Sequence, residues 1–235
     1  MDVSAAPEPD RRGAFTVEPF TEESRLIWER REHVVFGVSP GNSYFQVPRM
    51  AELFGWLRGE SDRIDVVIPD SALVHTYLAL GYEERRAERK ARAEVNVLRN
   101  RVSRAWEAAG GPRPGDGLNL MSELEGGEVY RARLAECERA LREDEVLRGT
   151  SAEMSREVLA LKGHRGMASD EQVERAMRYL LAELPFFLAS SEIFDVPTSV
   201  NFYHRKLPLA EVVFSGESLL RASPRQAYAT IRPVG

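Results

Sequence analysis

Two short, mostly apolar runs separated by a helical pattern constrain the fold of this chain more than any other feature. The runs are HVVFG, residues 33–37, and RIDVVI, residues 63–68, and the segment PRMAELFGWLRGES between them spaces its apolar residues as an amphipathic helix does. Such runs are typical of strands that are buried on both faces in a parallel sheet. Because parallel strands need crossover connections, usually helices, the pattern predicts an α/β fold with a mainly parallel sheet.

The rest of the chain continues this alternation. Helices are predicted over residues 21–32, about 83–108, 128–149, 151–161 and after Ser169, with Thr21 and Ser169 as N-caps. Strands are predicted in GDGLNL and SVNFYH, whereas PLAEVVFSG and QAYATIRPV favour further strand or loop. Residues 1–20 are predicted to form a flexible, proline-containing arm, and residues 21–235 a single domain.

Composition excludes several classes of protein. The chain has 235 residues, enough for one large domain with a proper core. It contains no apolar run close to the roughly 20 residues that span a membrane. Its single cysteine, Cys137, excludes an internal disulfide and a cysteine-rich zinc site. Since the first residues hold no apolar signal core, a cytoplasmic location without a membrane partner is expected.

One predicted helix is strongly basic although the net charge of the chain is −5. Its cations lie within an arc of about 200° on a helical wheel, opposite an apolar stripe. Glu88 and Glu94, the two acids in this segment, cannot pair them all. A stripe of unpaired cations favours a phosphate backbone, and RNA held by shape fits best, because no DNA-reading motif is present. We call these eight residues the basic face: Arg85, Arg86, Arg89, Lys90, Arg92, Arg99, Arg101 and Arg104.

Ser39 lies in a G-x-S-x-G pattern directly after the first predicted strand. The pattern is typical of a hydrolase nucleophile, but few residues precede it, and His75, His164 and His204 do not form an obvious triad with it. A phosphate-binding loop is excluded because no G-K-[ST] follows the glycines. Taken alone, the stretch leaves open whether Ser39 is a nucleophile or a turn residue.

Two later stretches carry polar residues in apolar surroundings. In YLLAELPFF, Tyr179 and Glu183 share one face of a helix, where a buried carboxylate would need a cationic partner such as a substrate ammonium group. In SVNFYH, Tyr203 and His204 lie at the end of a strand. A solvent-facing glutamate and a half-buried strand tyrosine remain the alternatives.

Together with the basic helix, the stretches GVSPGNSYF, YLLAELPFF and SVNFYH resemble the cyclodipeptide synthase family. The resemblance extends over about residues 22 to 234, so residues 21–235 correspond to the catalytic domain of that family. Asn42, Tyr203 and His204 match the group of the family that carries Asn, Tyr and His at these positions.

The resemblance implies a single Rossmann-like domain, similar to the catalytic domain of the class Ic aminoacyl-tRNA synthetases. It implies an aminoacyltransferase that forms a 2,5-diketopiperazine from two aminoacyl-tRNAs by a ping-pong mechanism, with aminoacyl and dipeptidyl intermediates on Ser39. No ATP, metal or other cofactor is expected, because the aminoacyl ester is already activated. Tyr179 and Glu183 are implied to hold the ammonium group. Asn42 and Tyr203 are implied to position the aminoacyl group, with Tyr203 also relaying a proton, and the basic face is implied to bind the tRNA acceptor arm.

The pocket for the first amino acid is expected beside Ser39. Val35 and Gly37 precede it on the strand, Phe186 follows Glu183 by one helical turn, and Asn201 and His204 come from the later strand. Phe186 would fill space, which favours a small first residue such as alanine. A monomer or weak dimer is expected, with diketopiperazine-tailoring enzymes as downstream partners.

Three other functions explain part of the sequence. A non-catalytic tRNA- or RNA-binding protein with a synthetase-like fold accounts for the basic face but gives Ser39 no task. A serine hydrolase accounts for Ser39 but not for the basic face. A structural protein that docks an acidic partner also uses the basic face, and competition by bulk tRNA would distinguish it.

Overall fold

A seven-stranded sheet forms the centre of the molecule in a computed structural model that describes residues 10–12 and 14–234. The strands are β1 (Asp10–Arg12), β2 (Phe15–Pro19), β3 (His33–Gly37), β4 (Arg63–Ile68), β5 (Gly117–Leu120), β6 (Ser199–Tyr203) and β7 (Gln226–Pro233). Their order is β1-β2-β7-β6-β3-β4-β5. The five strands from β7 to β5 run parallel, whereas β2 is antiparallel to β7 and β1 to β2.

The two apolar runs form central strands, as predicted. β3 lies between β6 and β4, and both its faces are buried up to Phe36. In register, Gly37 pairs with Val67, and Phe36 with Phe202. The carboxyl ends of β3, β4 and β6 therefore meet at one edge of the sheet, where α/β proteins bind ligands.

Helices cover the sheet and connect its strands. They are α1 (Glu22–Glu29), α2 (Val47–Glu60), α3 (Leu73–Ala79), α4 (Glu84–Ala108), α5 (Met121–Leu124), α6 (Glu128–Glu143), α7 (Glu145–Leu161), α8 (Asp170–Ile193) and α9 (Pro208–Phe214). The predicted caps are confirmed: Thr21 accepts from the Ser24 N–H at 3.1 Å, and Ser169 from the Gln172 N–H at 3.3 Å. α8 packs against α3, α6 and α7, which hold it over the carboxyl edge of the sheet. None of the helices in the described ranges is long and apolar enough to cross a membrane.

The predicted arm over residues 1–20 is wrong for Asp10–Arg12, which form β1, and for Phe15–Pro19, which form β2. In β2, Phe15 and Val17 are buried in the core, and the strand pairs with β7. The alternation of buried and half-buried residues in FTVEP is the signature of a strand with one covered face, and the nearby prolines obscured it. Residues 1–9 and 13 lie outside the described residues.

Two other boundaries differ from the sequence prediction. The segment PLAEVVF forms helix α9 instead of a strand, because Pro208 begins it and Leu209, Val212 and Val213 are buried at helical spacing. The break between α6 and α7 falls at Asp144 instead of residue 150. Asp144 caps α7 by accepting from the Leu147 N–H at 2.9 Å, and it also accepts from Ser218 at 2.8 Å.

Candidate active site

Ser39 lies two residues beyond the end of β3, in the turn formed by residues 39–43. The Asn42 N–H donates to the Ser39 carbonyl at 3.3 Å and closes this turn. Gly41 has φ +77°, a left-handed conformation that favours glycine. The G-x-S-x-G pattern thus holds the serine hydroxyl at the carboxyl edge of the sheet.

The hydroxyl of Tyr203 lies 2.9 Å from Ser39 Oγ, although 164 residues separate the two in sequence. The contact exists because β6, which ends at Tyr203, is the neighbour of β3. Burial raises the pKa of Tyr203, although its contact with Ser39 acts in the opposite direction. The phenol therefore remains protonated near neutral pH, and it can accept and pass on a proton but cannot act as a strong base.

Tyr179 and Glu183 lie one helical turn apart on α8 and face the same space as Ser39. Burial raises the pKa of Glu183 to about 7, although its contact with Tyr179 lowers it. The pKa of Tyr179 lies well above its usual range, chiefly because of burial and also because of the Glu183 charge. No lysine, arginine or histidine in the described ranges pairs with Glu183, so its carboxylate is available to a ligand cation.

These side chains surround a cavity of about 120 Å³, which we call the serine cavity. Its wall is largely apolar and contains Val35, Gly37 and Phe186, as the sequence predicts. Asn201 also lines it, and its Nδ2 donates one hydrogen bond to the Phe186 carbonyl. The Ser190 hydroxyl donates to that same carbonyl at 2.7 Å and lies 3.4 Å from Asn201 Oδ1. Asn201 therefore connects β6 to α8 and keeps one N–H and its Oδ1 for a ligand.

His204 and Asn42 do not line the serine cavity. The sequence places His204 in the pocket, whereas in the structure its ring stacks on Tyr44 at 4.2 Å between centroids, lies 4.4 Å from the Tyr203 ring and does not line the serine cavity. Its pKa falls to about 4, chiefly because it is buried. Asn42 accepts from the Tyr44 N–H at 2.9 Å, and its side chain lies close enough to Tyr203 to lower the pKa of that phenol.

The structure adds cavity residues that sequence reasoning missed. Tyr228 on β7 reaches the cavity, and its buried hydroxyl has no hydrogen-bond partner among the described residues. Met154 on α7 and Arg205 after β6 also line it. Their positions depend on which strands and helices become neighbours.

None of the four histidines hydrogen-bonds to Ser39. His33 contacts Ser199 and Asp65 at 2.9 and 3.0 Å, deep beneath the sheet edge, and His164 contacts Gln172 at 3.2 Å. His75 and His204 each leave Nδ1 without a partner among the described residues. The geometry thus lacks the serine–histidine pair of a triad hydrolase. The described part of the chain also holds no cluster of His, Cys, Asp and Glu suited to a metal ion.

The basic face lies on α4, as predicted. The opposite stripe is buried, including Ala87, Val95 and Trp106, and all eight cations except the half-buried Arg101 are exposed. None of the eight forms an ion pair with the described residues; Arg86 and Lys90 lie over tyrosine rings at 4.9 to 5.6 Å. The basic face therefore presents unpaired charge to solvent.

Glu94 on α4 pairs with a cation from another helix. Lys162, at the end of α7, lies 2.7 Å from its carboxylate and 3.5 Å from the Pro40 carbonyl. Tyr77 donates a hydrogen bond to the same carboxylate. The helix that carries the basic face is thus connected to the turn that carries Ser39.

The fold and site together define a Rossmann-like α/β protein with a serine at the carboxyl edge of its sheet. A family model described as cyclodipeptide synthase matches residues 15–233. Over 230 residues, the chain is 36% identical to the cyclo(L-tyrosyl-L-tyrosyl) synthase of Mycobacterium tuberculosis, covering 97% of this chain and 80% of the relative. It is 33% identical over 234 residues to the cyclo(L-leucyl-L-phenylalanyl) synthase of Streptomyces noursei, covering 99% and 97%.

Solved structures agree with this relationship. A Mycobacterium tuberculosis protein, described as showing that cyclodipeptide synthetases are related to type I tRNA synthetases, superposes with a TM-score of 0.84 at 35% identity over 98% of both chains. A cyclo(L-leucyl-L-phenylalanyl) synthase superposes with a TM-score of 0.85 at 32% identity, over 95% of this chain and 100% of that chain. The chain belongs to the cyclodipeptide synthase family and is an enzyme of that family, which confirms the predicted fold.

Proposed function

We propose that this enzyme joins two aminoacyl groups, each delivered as an aminoacyl-tRNA, into a cyclic dipeptide through intermediates bound to Ser39. The observation that carries the proposal is the Ser39–Tyr203 contact of 2.9 Å at the wall of a cavity that also holds Glu183. It supplies a nucleophile, a proton relay and an anchor for an ammonium group within one site. The unpaired basic face supplies a surface for the tRNA phosphates.

The first step is acylation of the serine. Ser39 Oγ attacks the ester carbonyl while the ammonium group lies against Glu183. The serine proton passes through the Tyr203 hydroxyl to the leaving ribose oxygen, so the tRNA departs with a free terminal hydroxyl. The Asn42 N–H already bonds the Ser39 carbonyl, so other donors at the site must stabilise the oxyanion.

Two transfers complete the ring. The amine of the Ser39-bound aminoacyl group attacks the ester carbonyl of a second aminoacyl-tRNA, which releases that tRNA and leaves a dipeptidyl ester on Ser39. The free amine of the dipeptide then attacks the Ser39 ester, forms the second amide bond and restores the serine. Because Glu183 has a pKa of about 7, it is suited to take the proton that each ammonium group must lose.

The size of the serine cavity supports a small or medium apolar first amino acid. Its volume is about 120 Å³, whereas a cavity of roughly 150 Å³ accommodates benzene. Part of this space must hold the ammonium group and the carbonyl. We therefore propose a compact side chain such as that of alanine.

Mass spectrometry of the medium of bacteria expressing the chain tests the proposal and identifies both amino acids. We expect a cyclic dipeptide with the wild type and with Ser43→Ala, an exposed serine of the same turn, but not with Ser39→Ala. Intact-protein mass spectrometry after mixing with charged total tRNA should show an aminoacyl adduct that requires Ser39. An adduct that persists in Ser39→Ala would contradict the assigned nucleophile, and tRNA binding without product or adduct would support the non-catalytic alternative.

A further inference from the structure

Two residues with formal charges line the serine cavity within the part of the chain that the structure describes, and they have opposite signs. Glu183 projects from α8. Arg205 follows β6 by two residues, and its side chain reaches from the cavity wall into solvent. A ligand in this cavity therefore meets a negative group inside and a positive group at the mouth.

Arg205 lies in the bend that follows β6. It lines the cavity, as Tyr203 does, whereas His204 between them stacks on Tyr44 and does not line it. The guanidinium is also close enough to Tyr203 and His204 to lower the pKa of both, although burial is the larger influence on each. Arg205 is thus held beside the group that contacts Ser39.

Arg205 has no intramolecular role that would account for this position. It forms no hydrogen bond or ion pair with any described residue. The next residue offers a direct contrast: Lys206 pairs with Glu211 and lies 5.3 Å from the centre of the Phe20 ring. Lys206 therefore contacts other parts of the protein, whereas the Arg205 guanidinium remains available to a ligand.

The chemistry of the substrate indicates what this cation meets. With the ammonium group at Glu183 and the ester carbonyl at Ser39, the next group outward is the terminal ribose, followed by the phosphate that joins it to the rest of the tRNA. Arginine suits that phosphate, because its planar guanidinium donates two parallel hydrogen bonds. We propose that Arg205 binds the phosphate next to the terminal nucleoside of an aminoacyl-tRNA, so that charges of opposite sign at the two ends of the cavity orient the ester. This inference rests on the proposed function.

The test compares acyl-enzyme formation by Arg205→Gln, Arg205→Lys and the control Lys206→Gln, with intact-protein mass as the readout. Total tRNA charged with the twenty amino acids is the donor, at several salt concentrations. With Arg205→Gln we expect an acylation rate about tenfold lower. The slope of log rate against log salt should fall by about one. Arg205→Lys should keep most of the slope, since it keeps the charge, and Lys206→Gln should behave as the wild type.

A second donor separates phosphate binding from a general role in folding or catalysis. An aminoacyl-adenosine without phosphate should acylate wild type and Arg205→Gln at equal rates. An unchanged salt slope in Arg205→Gln, or equal losses with both donors, would overturn the phosphate contact while leaving the proposed function intact. Failure of the wild type to form any acyl-enzyme with charged tRNA would overturn both.

Discussion

Replacing Glu183 with glutamine should make the protein more stable and less active. The carboxyl has a pKa of about 7 in the folded protein, against 4.5 for an ordinary glutamate, because burial penalises its charge. At about 1.36 kcal/mol for each pKa unit, the ionised carboxylate lowers the free energy of unfolding by about 3 kcal/mol. Glu183→Gln keeps the shape of the side chain and removes this cost.

The direction of the pH dependence follows from the raised pKa. Below pH 4.5 Glu183 is protonated in both the folded and the unfolded protein, so the wild type and the variant should have equal stability. As the pH rises through about 7, Glu183 ionises in the folded protein, and the wild type loses the stability that the protonated carboxyl retained. Above pH 8 the variant should be more stable by about 3 kcal/mol, or roughly 6–12 °C in Tm for a chain of this length. Urea unfolding and calorimetry at pH 5 and pH 8 measure this difference in stability between the wild type and Glu183→Gln. The loss of activity is measured by intact-protein mass spectrometry, which should show little acyl-enzyme for Glu183→Gln.

Glu192→Gln is the matched control on the same helix. Burial tends to raise the pKa of Glu192, but its contacts with Ser223 and Arg133 outweigh burial and lower it. Glu192→Gln should therefore be less stable than the wild type at pH 8. In acid, where Glu192 is protonated, the two proteins should have equal stability. If Glu183→Gln were no more stable at pH 8, or if its gain were the same at pH 5, the assignment of an unpaired buried carboxylate would be refuted.

Three further predictions concern the proton route, the turn and the basic face. Tyr203→Phe should slow acyl-enzyme formation about 100-fold in rapid-quench experiments at unchanged Tm; an unchanged rate would exclude the phenol as the relay. Lys162→Met leaves Glu94 without its cation. It should lower the free energy of unfolding by about 1 kcal/mol and speed amide hydrogen exchange in residues 39–43. Unaltered exchange there would contradict the connection that Lys162 makes between α4 and the Ser39 turn. Replacing Arg85, Arg89 and Arg92 of the basic face together with glutamine should reduce the slope of log affinity for tRNA against log salt by about two to three. The control Arg25→Gln on α1 should leave this slope unchanged.

The sequence predicts the part of the fold that depends on local pattern. β3 and β4 are recognisable because their runs are short, mostly apolar and bounded by polar or turn residues, and α4 because its apolar stripe repeats at helical spacing from Ala87 to Trp106. β2 and α9 were missed because each is short and contains proline, and their final state depends on packing against β7 and α7. Tertiary neighbours decide such segments.

The residues of the candidate site also fall into two groups, those that the sequence indicates and those that it does not. Ser39, Tyr179 and Glu183 stand out because each is polar at a position where the surrounding pattern is apolar or turn-forming. Tyr228 and Met154 do not stand out, because an apolar or aromatic residue in a strand or helix has no distinguishing signal until its neighbours are known. His204 was misplaced for a related reason: its direction at the end of β6 depends on stacking with Tyr44, which the sequence does not show.

The 164 residues between Ser39 and Tyr203 have a consequence for the order in which the enzyme becomes competent. A growing chain exposes its serine early, but the phenol and the strand that carries it arrive only near the end of synthesis. Until β6 inserts beside β3, the serine lacks both its contact with the Tyr203 hydroxyl and one wall of its cavity. The serine cavity is therefore complete only late in synthesis, and a chain truncated before β6 should not form it.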